Sequence, residues 1–266
     1  MSINIETVPA VPFKMSYFRF GSGPRTMVLI PGISIKSVME SADFVAGAYK
    51  MFSTNYTVYL FDRRSDIPGI YTVDDMAADT ASAMDALGMK STYMAGISQG
   101  GCIAQIIAED HPELVKMLVL ESTVSRLTEN AQRTVRGWVE LAKKGDKDAL
   151  NMAFAESIYS TAFFEKYRDA ILSMAKLYTD EELERFVIHA EGMSGFTVYD
   201  RLDKVRCPVL VMGGSEDRIF DNSCFRETAE KLHGELYIFE GYGHAFYDEA
   251  PEAKQRIFDF FENDRQ

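Results

Sequence analysis

Short apolar runs rich in β-branched and aromatic residues recur along the chain, separated by stretches with helical spacing. The runs cover residues 26–30, 57–61, 91–95, 116–120, 208–212 and 235–239. Each is short and apolar enough to be a strand buried on both faces. Between the second and third runs, Val73, Met76, Ala77, Thr80, Met84 and Leu87 share one helical face, and Gly88 follows as a helix stop. Strands that alternate with helices predict an α/β protein with a mostly parallel central sheet flanked by helices. Residues 13–20 predict one or two antiparallel edge strands, turning through Gly21-Ser22-Gly23-Pro24.

The alternation stops after Leu120, and residues 125–199 show no strand pattern. Trp138, Val139, Leu141 and Ala142 form one amphipathic stretch, Met152, Phe154, Ile158 and Tyr159 a second, and Ile171, Met174, Ala175 and Tyr178 a third. A helical block between strands of one sheet predicts an inserted cap. The expected organisation is therefore a core made of residues 1–124 and 200–266 with a helical lid at 125–199. The lid's aromatic and methionine side chains would supply apolar surface for an acyl pocket, although an amphipathic helix must bury one such face in any case.

The most informative short segment is Gly96-Ile97-Ser98-Gln99-Gly100, which joins the apolar run ending at Ala95 to a helical run through Cys102, Ile103, Ala104, Ile106 and Ile107. A serine on a sharp strand-to-helix turn has its hydroxyl exposed, and the helix N-terminus aims amide groups at charge forming beside it. Gly96 and Gly100 suit a turn too crowded for a Cβ.

A nucleophilic serine needs a base, and the base needs an acid to hold its tautomer. Of four histidines, His244 lies in the glycine-rich loop Gly241-Tyr242-Gly243-His244 after the last strand run, at the sheet edge where Ser98 emerges. His111 precedes Pro112 at a helix end, His189 falls in the lid, and His233 lies near a strand start; structural roles suit these three. Asp217, in the loop after residues 208–212, is the expected acid, with Glu216, Glu121 and Asp248 as weaker candidates. The oxyanion formed on attack needs amide donors, each worth roughly 3 to 4 kcal/mol. The Gln99 amide is one, and the Ile33 amide in the loop Pro31-Gly32-Ile33-Ser34 is the expected second.

These pieces resemble the α/β-hydrolase superfamily from about residue 13 to the C-terminus. The resemblance rests on Pro31-Gly32, Phe61-Asp62-Arg63-Arg64, Tyr71-Thr72-Val73-Asp74-Asp75-Met76, and Ala95-Gly96-Ile97-Ser98-Gln99-Gly100-Gly101. It continues in Cys207-Pro208-Val209-Leu210-Val211-Met212-Gly213 with Asp217, and in Gly243-His244 before Pro251-Glu252. The order Ser98, Asp217, His244 is that of the family. Small capped bacterial esterases, lactonases and peroxidase-like hydrolases are most similar. Two departures stand out: the family often has His-Gly where this chain has Pro31-Gly32, and Ser65-Asp66-Ile67-Pro68-Gly69 replaces a glycine-rich turn. In the family Asp62 is usually structural.

The expectation is a serine hydrolase that cleaves a small carboxylic ester or related acyl substrate through an acyl-enzyme. C–C bond hydrolysis, lyase chemistry, acyl transfer and a slow-turnover receptor or pseudo-enzyme are the alternatives on the same fold. Dehalogenase and epoxide hydrolase chemistry fit less well, because those families place aspartate where Ser98 stands. No metal or organic cofactor is called for. Composition sets the outer bounds: 266 residues, 47% hydrophobic and 26% charged, describe an ordinary globular protein. A net charge of −12 opposes unspecific binding to nucleic acid or anionic membrane, and no stretch approaches the roughly 20 apolar residues of a membrane span. Residues 1–20 lack a secretory pattern, and three cysteines without metal-ligand spacing fit a reducing compartment, so a cytoplasmic location is expected. The expected partner is a small acyl substrate, and a homo-oligomer is compatible with the chain.

Overall fold

The structure, a computed structural model, describes residues 2–264. Eight strands form one sheet: β1 (Ile5–Thr7), β2 (Ser16–Phe20), β3 (Arg25–Ile30), β4 (Tyr56–Phe61), β5 (Thr92–Ile97), β6 (Val115–Glu121), β7 (Val209–Gly214) and β8 (Glu235–Phe239). Their order across the sheet is β1-β2-β4-β3-β5-β6-β7-β8. The pairs from β4 through β8 are parallel, while β1 and β2 add antiparallel edge strands. The six apolar runs thus become the six parallel strands. The edge differs in one respect: residues 13–20 supply only β2, and its outer antiparallel neighbour is the three-residue β1 further upstream.

Six of the ten α-helices among the described residues belong to the sheet's own layers. They are α1 (Ala42–Ala48), α2 (Val73–Ala86), α3 (Gln99–Asp110), α8 (Asn222–Lys231), α9 (Phe246–Glu249) and α10 (Ala253–Glu262). They cover both faces, which is why the central strands are apolar on both sides. Val28, Met94, Leu118 and Val211 pack on one face with residues of α2, α3 and α8. Met27, Leu29, Ala95 and Val119 pack on the other with α1, α9 and α10. Thr72 caps α2 reciprocally with Asp75, and Gly88 follows its end with φ +69°, as a helix stop requires.

The remaining four helices, α4 (Glu129–Lys143), α5 (Lys147–Ile158), α6 (Thr161–Ser173) and α7 (Asp180–Glu191), lie between β6 and β7 in sequence. The first two amphipathic stretches fall in α4 and α5, the third straddles the end of α6 and a 3-10 turn at Met174–Leu177, and α7 is additional. Their aromatic residues mostly pack on one another: Trp138 lies 4.8 Å from Phe154 between ring centres, and Phe154 lies 6.0 Å from the fully buried Phe186. These side chains form a core within the helical insertion. No helix among the described residues is long and apolar enough to cross a membrane.

Strand order decides where a ligand fits. From β3 the chain crosses to β4 on one side, and then to β5 on the other. The carboxyl ends of β3 and β5 therefore flank the switch point of the sheet, where crevices form in open α/β folds. Ser98 follows β5, and the Pro31-Gly32-Ile33 loop follows β3.

Candidate active site

β5 runs directly into α3 with Ser98 as the only residue between them, at φ 51° and ψ −118°. A non-glycine residue with this backbone stores of order 1–3 kcal/mol of strain. The surroundings enforce it: the Ser98 amide donates to Glu121 O at 2.8 Å, while the Gly101 and Cys102 amides close on Ser98 O at 2.9 and 3.2 Å. A Cβ on Gly100 would stand 2.1 Å from Ile30 O and 2.5 Å from Pro31 O, and one on Gly96 would stand 2.6 Å from Gly100 O. Both glycines serve close backbone approach, since neither has positive φ. Serine at a helix start ordinarily caps it. Ser98 makes no such bond, and among the described residues its Oγ has no hydrogen-bond partner.

Asp217 and His244 come together. Asp217 lies in the loop after β7, where its Oδ1 accepts from the amides of Ile219 at 2.8 Å and Phe220 at 2.9 Å. Its Oδ2 is 2.7 Å from His244 Nδ1, and the two side chains are 0% and 3% exposed. A carboxylate saturated with donors is an acceptor, so the proton sits on Nδ1 and the lone pair on Nε2. His244 is held in place from three sides. Ser122 Oγ donates to His244 O, the next amide, Ala245, donates to Ile158 O at 2.7 Å, and the Phe220 ring lies 5.6 Å from the imidazole. Ser122 directly follows Glu121, whose carbonyl holds the Ser98 amide, so Ser98 and His244 are tied to adjacent residues at the end of β6. Ser98 and the His244 ring are not themselves hydrogen-bonded.

The other titratable candidates stand apart. Glu121 is fully buried with both carboxylate oxygens unpartnered among the described residues, and burial pushes it up to about 8. It makes no bond to His244. Asp248 falls in α9, where burial raises its carboxyl. His111 is the C-cap residue of α3, and His233 precedes β8 with φ 51°. His189 is buried in α7, and burial together with Arg185 and Arg63 pushes it down to about 2.

Among the described residues, neither the Ile33 nor the Gln99 N–H makes a hydrogen bond. A Cβ on Gly32 would lie 3.3 Å from Ser98 Cβ, which places the loop carrying Ile33 against the serine. A cavity of about 270 Å³ opens beside this loop, lined by Gly32, Ile33, Phe44, Tyr49, Ile97 and Tyr247 among others. Larger hollows of about 450 and 600 Å³ lie on the cap and touch none of these residues. One neighbour was not singled out by sequence reasoning. Arg63 turns inward behind the loop, donating Nη2 to Pro31 O at 2.8 Å and to Gln99 Oε1 at 3.4 Å.

The model of the alpha/beta hydrolase fold family matches residues 26–251, which include every element just described from β3 to the His244 loop. The chain belongs to this family. Among named proteins this α/β-hydrolase is 26% identical over 254 residues to one called "Putative carbamate hydrolase RutD" from Caulobacter sp. (strain K31), covering 89% of this chain and 91% of the relative. It is 21% identical over 254 residues to 3-oxoadipate enol-lactonase 2 of Acinetobacter baylyi, covering 93% and 92%. Among solved structures, MGS-M2, an alpha/beta hydrolase enzyme from a Medee basin deep-sea metagenome library, superposes with a TM-score of 0.88 at 22% identity over 98% of both chains. At such identities the likeness is one of fold, with hydrolysis as the shared theme of the names.

Proposed function

We propose that the protein is a serine hydrolase that cleaves a small carboxylic ester, or a related acyl substrate, through an acyl-enzyme on Ser98. The observation that carries this reading is the buried Asp217–His244 pair at 2.7 Å, set at the same sheet edge as a strained serine whose hydroxyl is unused by the fold. In this reading Ser98 Oγ attacks the substrate carbonyl carbon while His244 Nε2 takes its proton, and Asp217 stabilises the resulting imidazolium. Negative charge gathers on the carbonyl oxygen, where the Ile33 and Gln99 amides receive it together with the positive end of α3. Collapse of the adduct expels the alcohol, which takes the proton from His244. Water activated by the same nitrogen then attacks the acyl-enzyme, and the acid leaves as Ser98 regains its proton.

Lactonase and carbamate hydrolase, the names carried by relatives, both denote cleavage at a carbonyl carbon, which fits the same steps. Turnover of p-nitrophenyl acetate by the wild type and its loss in Ser98→Ala test the reading. Undiminished turnover in that variant overturns it.

A further inference from the structure

Arg63 poses an energetic problem. It directly follows Asp62, the first residue after β4, yet its side chain points inward and the residue is only 5% exposed. Burying a guanidinium costs several kcal/mol unless a partner offsets it. The nearest carboxylate is already engaged: Asp62 accepts from Arg185, from Ser37 Oγ and from the Arg63 backbone amide at 2.8 Å. Among the described residues no carboxylate meets the Arg63 side chain, and Nε has no partner at all. Burial lowers its affinity for the proton only to about 10, so it stays charged at physiological pH.

What the guanidinium does hold is backbone geometry. A single nitrogen, Nη2, spans Pro31 O and Gln99 Oε1. Pro31 opens the loop that carries the Ile33 amide, and Gln99 owns the second amide. The far end of the Gln99 side chain donates Nε2 to His189 O at 2.8 Å, on α7. A continuous path therefore runs from the cap, through the residue after the serine, to the loop opposite.

Resting on the serine hydrolase reading, we infer that Arg63 is a positioning residue of the oxyanion hole. It sets the separation of the Ile33 and Gln99 amides by bridging their two segments, and Gln99 passes that constraint on to α7. Losing the bridge lets the two amides drift relative to each other. Transition-state binding should then suffer more than substrate binding, because the donors are aimed at charge that exists only in the transition state.

The test compares wild type, Arg63→Met, Arg63→Lys, Gln99→Met, the Arg63→Met/Gln99→Met pair and Ser98→Ala. It measures kcat and KM on p-nitrophenyl acetate, inhibition by an alkylboronic acid that forms a tetrahedral anion on serine, and thermal melting. Expected for Arg63→Met is a fall in kcat of about 10- to 100-fold with KM within about threefold, matched by an equal loss of boronate affinity. Arg63→Lys should recover part of it, and the double variant should lose no more than Arg63→Met alone. If Arg63→Met fails to fold, Gln99→Met carries the same expectation on a smaller scale, since it keeps the amide and loses only the bridge. Wild-type kcat and boronate affinity in folded Arg63→Met and Gln99→Met, or a change confined to KM, overturns the positioning role while Ser98→Ala remains inactive. An active Ser98→Ala overturns the hydrolase reading and the positioning role together.

Discussion

Asp217→Asn is an unusually clean perturbation because the structure dictates which way the new amide must face. Asp217 Oδ1 accepts from the Ile219 and Phe220 amides at 2.8 and 2.9 Å, and these donors cannot be met by an NH2 group. The asparagine oxygen therefore stays on that side, and its NH2 faces His244 Nδ1 across the 2.7 Å contact. Nδ1 must then accept, which moves the ring proton to Nε2, the nitrogen that in the proposed mechanism receives the proton of Ser98. Geometry is kept and the base is lost. A wrong tautomer of this kind costs about 10⁴ in kcat, or about 5 kcal/mol. The fold should hardly notice, since both backbone bonds persist. Asp217→Ala instead strands two amides, at about 1–3 kcal/mol each, and lowers the melting temperature as well. Steady-state hydrolysis of p-nitrophenyl acetate with parallel melting curves separates the two variants. Asp217→Asn within about tenfold of wild-type kcat would refute the tautomer argument.

Other expectations follow from burial and contact. Glu121 holds its proton up to about 8 in the native state against 4.5 as its ordinary value, so between these the native state keeps a proton that the unfolded chain gives up. Stability should accordingly fall as pH rises through that window, by a few kcal/mol in all at about 1.4 kcal/mol per unit, and Glu121→Gln should flatten the curve; superimposable melting profiles of the two proteins would contradict this. Gly100→Ala puts a Cβ 2.1 Å from Ile30 O, where backbone cannot yield, and should destabilise by about 3 kcal/mol or more. Gly32→Ala meets its neighbours only at 3.3 Å and should fold, with kcat reduced about tenfold as the Ile33 amide shifts. Melting and kinetics check both, and wild-type stability in Gly100→Ala counts against the packed turn. Phe186→Ala opens a cavity in the cap at a fully buried position and should cost about 3–5 kcal/mol in urea unfolding. A loss below about 1 kcal/mol would mean that the cap aromatics are not its core.

The parts of this molecule that depend on local pattern were readable before any coordinates. All six parallel strands fall on short apolar runs, because a strand covered on both faces admits little else. The turn at Ser98 announces itself through glycines that backbone contacts require, and Asp217 and His244 lie in loops that leave the carboxyl edge of the sheet. What sequence left dark depends on meetings over long separations. Arg63 reaches Pro31 and Gln99 from 32 and 36 positions away, and nothing in its immediate neighbours distinguishes an inward arginine from Arg64 beside it, which pairs with Asp66 and Asp79. β1 escaped notice because three residues, Ile5–Thr7, are too few for alternation to show, and only pairing with β2 makes them a strand. The aromatic residues between β6 and β7 could line a pocket, with core the favoured role for each, and Trp138, Phe154 and Phe186 do pack on one another.

The central claim is that Ser98 is a nucleophile activated by His244. Incubation with a fluorophosphonate, followed by intact mass and peptide mapping, tests it most directly, because the probe captures an activated serine whatever the natural substrate is. The account predicts a single stoichiometric adduct on Ser98, strongly slowed in His244→Ala and absent in Ser98→Ala. An adduct mapped elsewhere, or no adduct on wild-type protein that is folded by melting, would contradict it.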